Sequence, residues 1–171
     1  MNEIMDILNT IDYGFKDEKG FNLIEDDNKW NEFEEFYYLQ TPEELLNTKC
    51  GVCWDQVELE RKLFLENGEK IKTYFIYIQD QDMLPSHTFL VINNNIWFEH
   101  SWYNHRGIHT YKNLQELLDD VTNKFIAEKE NLSKDAKIYL FEYNTPPTHI
   151  KCMPFYDYIH TQKLIFQKNI K

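Results

Sequence analysis

An α+β fold, with an antiparallel sheet packed against helices, is what this 171-residue sequence predicts. Helix-period and strand-period segments come in blocks: helices first, then three strands, a helix and a strand. Two of those strands flank Asn93-Asn94-Asn95, a hairpin signal. The main helices also carry their own start and stop signals.

Met1 to Leu8 has the spacing of a short amphipathic helix. The acidic, turn-rich stretch that follows, through Asp27, has no periodicity, and Trp30 to Tyr38 carries aromatics at mixed spacing. Thr41-Pro42-Glu43-Glu44 is a capping box with proline at the first helical position, which predicts a helix to about Asn47 and leaves Cys50 in the loop behind it. Val52, Val57, Leu59, Leu63 and Phe64 recur at helical spacing up to Asn67-Gly68, so a second helix runs from about Val52 to Leu65. Ile71 to Ile78, His87 to Ile92 and Ile96 to Ser101 read as strands. Tyr111 to Lys129 returns to helical spacing and Ala136 to Tyr143 to strand. Thr145-Pro146-Pro147-Thr148 breaks the chain before an aromatic segment, Phe155 to Phe166, predicted helical.

At 42% hydrophobic and 16% aromatic, the chain can build one real core, and residues 1–171 are expected to form one domain. Its net charge of -11, with lysines scattered rather than gathered in a stripe, argues against nucleic acid as a partner. No basic leader precedes an apolar stretch, and no apolar run approaches the roughly 18 residues of a membrane span, so a cytoplasmic protein without membrane contact is expected. Three cysteines, an odd number, fit free thiols better than a disulfide framework. The acidic balance favours encounter with a basic peptide or protein.

The chemistry-bearing residues are Cys53, His87 and Glu99, in that order. A thiolate can attack a carbonyl carbon, an imidazole can take and return the proton, and a carboxylate can fix the imidazole's tautomer and stabilise its charged form. Cys53 is predicted in the first turn of its helix, where unpaired amides and the helix dipole favour a thiolate. Gly51 suits a sharp turn into that helix, whereas Asp55 opposes the dipole by like-charge repulsion. The hairpin supplies a test. A two-residue loop would place His100 on the face of His87, whereas a three-residue loop Asn93 to Asn95 places His87, Phe89 and Val91 with Trp97, Glu99 and Ser101. Asparagine tolerates the left-handed backbone such a loop needs, so the three-residue loop is predicted.

Gly51-Val52-Cys53-Trp54-Asp55 at a helix start, His87-Thr88-Phe89 opening a strand and Trp97-Phe98-Glu99 on the next resemble the three motifs of the transglutaminase-like superfamily, a branch of the papain-like cysteine enzymes. The resemblance covers about residues 41 to 112. It implies a cysteine on a helix N-terminus against an antiparallel sheet that carries histidine and acid. It also implies acyl transfer at an amide: peptide hydrolysis, deamidation or transamidation, with a peptide or protein substrate and no cofactor. Members usually carry Asp at the third position and a small residue then Trp after the histidine; this chain has Glu99 and Thr88-Phe89.

Trp54, Trp97 and Gln40 are the candidate substrate-binding residues, with Trp54 preferred because it follows the nucleophile. The Cys53 amide is the natural first oxyanion donor, and Gln40 or Tyr38 are candidates for a second. Three other readings compete. Cys50-Gly51-Val52-Cys53 is also a C-x-x-C redox motif, although the segment before it signals a helix rather than the strand that thioredoxin-like folds require. A zinc site from Cys50, Cys53 and His100, His105, His109 or Cys152 would pair ligands over 50 residues apart, and no metal is expected. The same fold could also be a binding module with an inert triad.

Overall fold

The computed structural model describes residues 1–16, 22, 33–81 and 84–170. Trp30 and most of the acidic stretch through Asp27 lie outside the described residues.

The chain opens with α1 (Asn2–Leu8), which buries Ile4 and Leu8 as its spacing predicts. A two-residue strand β1 (Asp12–Tyr13) and one helical turn α2 (Phe33–Phe36) follow. Next comes α3 (Pro42–Thr48). Its capping box is complete: the Thr41 hydroxyl accepts from the Glu44 backbone N–H at 3.2 Å, and the Glu44 carboxylate accepts from the Thr41 N–H at 2.8 Å. Lys49 ends the helix at φ 54°, turning the chain sharply. Cys50, expected in a loop, instead forms β2 (Cys50–Gly51), paired in parallel with β1 as Asp12 opposite Cys50 and Tyr13 opposite Gly51. Strands of two residues are too short to show alternation, so sequence could not have announced them.

Central helix α4 (Cys53–Glu66) begins one residue after the predicted start, at Cys53 itself, and is capped by Asn67. It is buried nearly all round, from Cys53 to Arg61, which explains its weak apolar stripe in sequence. The main sheet contains β3 (Ile71–Gln79), β4 (Ser86–Ile92), β5 (Ile96–Glu99), β6 (Gly107–Thr110), β7 (Lys137–Tyr143) and β8 (Lys163–Asn169), in spatial order β6-β5-β4-β3-β7-β8, with antiparallel pairs throughout. Helix α5 (Leu114–Ala127) precedes β7, and α6 (Cys152–His160) precedes β8. The predicted helix over Phe155 to Phe166 is therefore corrected: the helix starts earlier, stops at His160, and the chain turns back as an edge strand.

The sheet is covered on both faces. Tyr74, Ile76, Ile78, Phe89, Val91 and Trp97 pack with α5 through Leu117, Leu118, Val121 and Phe125. On the opposite face, Phe75, Tyr77, Phe141 and Tyr143 pack with Trp54 of α4 and Phe155 and Ile159 of α6. Leu90, Ile92 and Phe98 on that face meet α1, α3 and α4.

The hairpin has the predicted three-residue loop. Ile92 pairs with Ile96, Val91 with Trp97 and Leu90 with Phe98. Asn93 and Asn94 both take left-handed backbone, at φ 52° and 64°, a conformation asparagine enters more readily than other chiral residues. The parity is therefore the one that puts Glu99 on the face of His87.

Candidate active site

Cys53, His87 and Glu99 meet at the ends of their elements. Cys53 is the first residue of α4, His87 the second of β4 and Glu99 the last of β5. His87 shares a face with Phe89 and Trp97 by parity, yet at the strand's start its ring comes within interaction range of the Cys53 thiol. His87 Nε2 lies 2.8 Å from Glu99 Oε2, and both side chains are buried. The longer Glu side chain, where the resembling motif has Asp, reaches its histidine without strain on this register.

Glu99 is held by more than His87. Its Oε2 also accepts from the Trp97 indole N–H at 3.3 Å, while Oε1 accepts from the Ser101 hydroxyl at 3.1 Å and the Trp102 backbone N–H at 2.8 Å. Four donors converge on one carboxylate, which is the pattern that keeps a buried acid charged. Burial alone would raise the Glu99 pKa, but His87 and these hydrogen bonds bring it below the usual glutamate value. For His87, burial pulls the pKa down and is outweighed by the Glu99 charge and the Cys53 thiol, which push it up to about 10. The Trp102 ring, 5.1 Å from the imidazole centroid and nearly edge-on, closes its side.

The loop before Cys53 is fixed from several directions. Gly51 has no room for a side chain: a Cβ there would lie 2.5 Å from Leu45 Cδ1 and 2.8 Å from Asp55 Cβ. Asp55 Oδ2 accepts from the Val52 N–H at 2.8 Å, and Oδ1 from the Gln40 N–H at 2.9 Å and the Tyr37 hydroxyl at 3.3 Å. Gln56 donates to the Gly51 carbonyl at 3.0 Å and lies 2.7 Å from His100 Nδ1, whose other nitrogen meets Asn9 Oδ1 at 3.3 Å. His100 thus braces α4 from the face opposite His87; burial, then Arg106, lowers its pKa to about 4, keeping the ring neutral.

Asp55 differs from its expected role as a fixed negative charge. Burial raises its pKa to about 7, against the amides of Gln40 and Val52 and the Tyr37 hydroxyl, all of which favour the charged form. Glu58 and Glu60, further along α4, are raised by burial too, and Glu60 further by the nearby Glu99. The sign of the linkage follows. The folded chain keeps an Asp55 proton that the unfolded chain releases near pH 3.8, so stability from this group falls as pH rises from about 4 to about 7. His87 adds stability that is full below its ordinary value of 6.5 and is lost as pH rises towards 10. Between pH 4 and 7 His100, neutral when folded, contributes with the opposite sign, so the Asp55 effect is read by difference: relative to wild type, Asp55→Asn is expected to make the slope of urea midpoint against pH more positive, and an unchanged slope in the variant would contradict the assignment.

A cavity of about 300 Å³ opens beside Cys53. Trp54 lines it, together with Tyr13, Phe33, Leu84, Cys152 and Tyr156. Trp54 also stacks on Phe155 with ring centroids 4.2 Å apart. Two other candidate substrate-binding residues lie outside this lining. Trp97 is fully buried, donates its indole N–H to Glu99 and meets the Trp102 ring edge-on. Gln40 is not among the lining residues: its side chain donates to the Cys50 carbonyl at 2.8 Å and accepts from the Thr48 hydroxyl at 2.6 Å. It frames the turn that leads to Cys53. Tyr38 is exposed and meets the His149 ring edge-on.

None of the three cysteines forms a disulfide, and Cys50 is buried at 2% exposure. Among the described residues no group of three or more His, Cys, Asp or Glu is arranged to hold a metal ion. His105 instead pairs with Glu128 at 3.1 Å, and His109 meets the His105 carbonyl at 2.7 Å. No helix among the described residues is long and apolar enough to cross a membrane.

Tyr13 and Tyr156 were not singled out by sequence, and Cys152 only as a candidate zinc ligand. Tyr13 had one faint signal in Gly14, which sits at φ 149° with Asn22 where a Cβ would be. The two residues from α6 gave no signal for this cavity, since only the folding back of the C-terminal segment brings them there.

An antiparallel sheet with a cysteine-headed helix against it is the core of the papain-like class. A family model described as a transglutaminase-like domain matches residues 2–130, and the chain belongs to that family. No curated protein matches the chain. Strands β7 and β8 and helix α6 lie beyond the matched residues and extend the same sheet and core.

Proposed function

We propose that this protein is a cysteine-dependent acyl-transfer enzyme acting at an amide bond, with Cys53 as nucleophile, His87 as its proton partner and Glu99 as the group that orients and charges His87. The observation that carries this reading is the 2.8 Å contact between His87 Nε2 and Glu99 Oε2 beside a cysteine that opens a helix. With Nε2 committed to Glu99, Nδ1 is the nitrogen left for the Cys53 thiol.

The raised His87 pKa favours an imidazolium paired with a thiolate in the resting enzyme. The thiolate attacks the carbonyl carbon, the carbonyl electron pair moves onto oxygen, and the tetrahedral species collapses as His87 delivers its proton to the departing amine. A nucleophile then takes the acyl group from sulfur. Water makes the enzyme a hydrolase or deamidase, and an amine makes it a transamidase.

The substrate is a peptide or protein. Beside Cys53 the described residues lining the cavity are mostly aromatic and apolar, which suits an uncharged group, and the acidic balance of the chain favours encounter with basic partners. Residues 1–171 act as one unit in this reading, because α6 supplies part of that cavity.

The test is product analysis on a peptide library with and without a primary amine, using Cys53→Ala as control. A Cys53-dependent gain of the added amine with loss of ammonia reports amine-resolved chemistry, whereas conversion of an amide to an acid, or chain cleavage, reports water-resolved chemistry. Products that persist in Cys53→Ala would overturn the proposal.

A further inference from the structure

The geometry points to the Tyr13 hydroxyl as the second oxyanion donor, acting beside the backbone N–H of Cys53. This rests on the acyl-transfer reading above.

The placement comes from β1. Its parallel pairing sets Tyr13 opposite Gly51, two residues before the nucleophile, and the Gly14 N–H donates to the Gly51 carbonyl at 3.3 Å just beyond. Gly51 itself is seated tightly against Leu45 and Asp55, where no side chain fits, which fixes the strand that Tyr13 pairs with. The phenol then lies close enough to Cys53 to interact with both its thiol and its backbone amide. Tyr13 also lines the cavity beside Cys53. Its residue surface is 42% exposed, so part of the ring faces open space while the hydroxyl is enclosed. Burial, followed by the neighbouring Cys53, holds the Tyr13 pKa well above 10, so at neutral pH the group is a hydrogen-bond donor.

That position suits the charge that has to be stabilised. In the resting enzyme the negative charge is on sulfur; when the Sγ–C bond forms, the carbonyl electron pair carries the charge to the substrate oxygen. That oxygen must lie within reach of the Cys53 amide. A hydroxyl already beside both amide and sulfur can follow the charge from one atom to the next without losing its proton, and hydrogen bonds of this kind are often long before substrate binds. The proton balance stays with Cys53, His87 and the leaving group. Neither Gln40 nor Tyr38 competes for the role: Gln40 is committed to Cys50 and Thr48, and Tyr38 is exposed beside His149.

The experiment compares two probes of Cys53 in the full chain. Iodoacetamide alkylates the sulfur at a saturated carbon and builds no oxyanion, whereas p-nitrophenyl acetate acylates it through one. Tyr13→Phe removes a single oxygen. Its acylation rate is expected to fall by about 10²- to 10³-fold, as for loss of one oxyanion donor, and by at least about ten times more than its alkylation rate. Equal losses with both probes would reduce Tyr13 to a shaping role and overturn the inference. Faster acylation in Tyr13→Phe would show that the hydroxyl blocks the site, which overturns it equally. Should wild-type acylation be indifferent to His87→Ala, the acyl-transfer reading itself fails, and this inference with it.

Discussion

Glu99→Ala is expected to lower acyl transfer by about 10²- to 10⁴-fold, the usual worth of a positioned acid–base group, and to destabilise the fold by about 3–5 kcal/mol. Both effects come from the four donors that converge on its carboxylate. Without it, the buried His87 loses the charge that holds its proton, and the Trp97 and Trp102 N–H groups lose their acceptor in a dry site. Glu99→Gln divides the two effects. Its single amide oxygen can serve one pair of donors, but its NH₂ must then face the other pair. A stability loss of about 1–3 kcal/mol is expected, between wild type and alanine. Urea denaturation with an activity assay reads both; an alanine variant as stable as wild type would show that the carboxylate is not the anchor described.

His87→Ala is expected to remove about 10⁴- to 10⁶-fold of the acyl-transfer rate, since members of such a unit fail together. It should also change how the thiol reacts. Paired with the imidazolium, Cys53 is expected to alkylate rapidly at pH 6. Without the imidazole the sulfur loses its positive partner, and labelling at that pH is expected to slow. A pH profile of iodoacetamide labelling measures this directly. Slow labelling in wild type, unaltered in His87→Ala, would leave Cys53 a structural cysteine and the protein a binding module.

The features legible in sequence were those set by local chemistry. Thr41 to Glu44 carried its capping box in four residues, and three asparagines determined which of Glu99 and His100 joins His87. Features that depend on the whole fold were not legible. Helix α4 is surrounded by protein, so its buried faces carry Asp55, Glu58 and Glu60 where an amphipathic pattern would forbid them. Tyr13 sits on a two-residue strand whose partner is 38 positions away in sequence. Trp97, a candidate for substrate contact in sequence, is turned inward to the α5 core by alternation along its strand.

Cys152 and Tyr156, on the wall facing Cys53, belong to α6, beyond the stretch that matches the family model. Under the acyl-transfer proposal, part of the wall beside the nucleophile is thus carried on a segment separate from the one that holds Cys53, His87 and Glu99, and a change confined to α6 is expected to alter which acyl group is accepted while the nucleophile and its partners stay as they are.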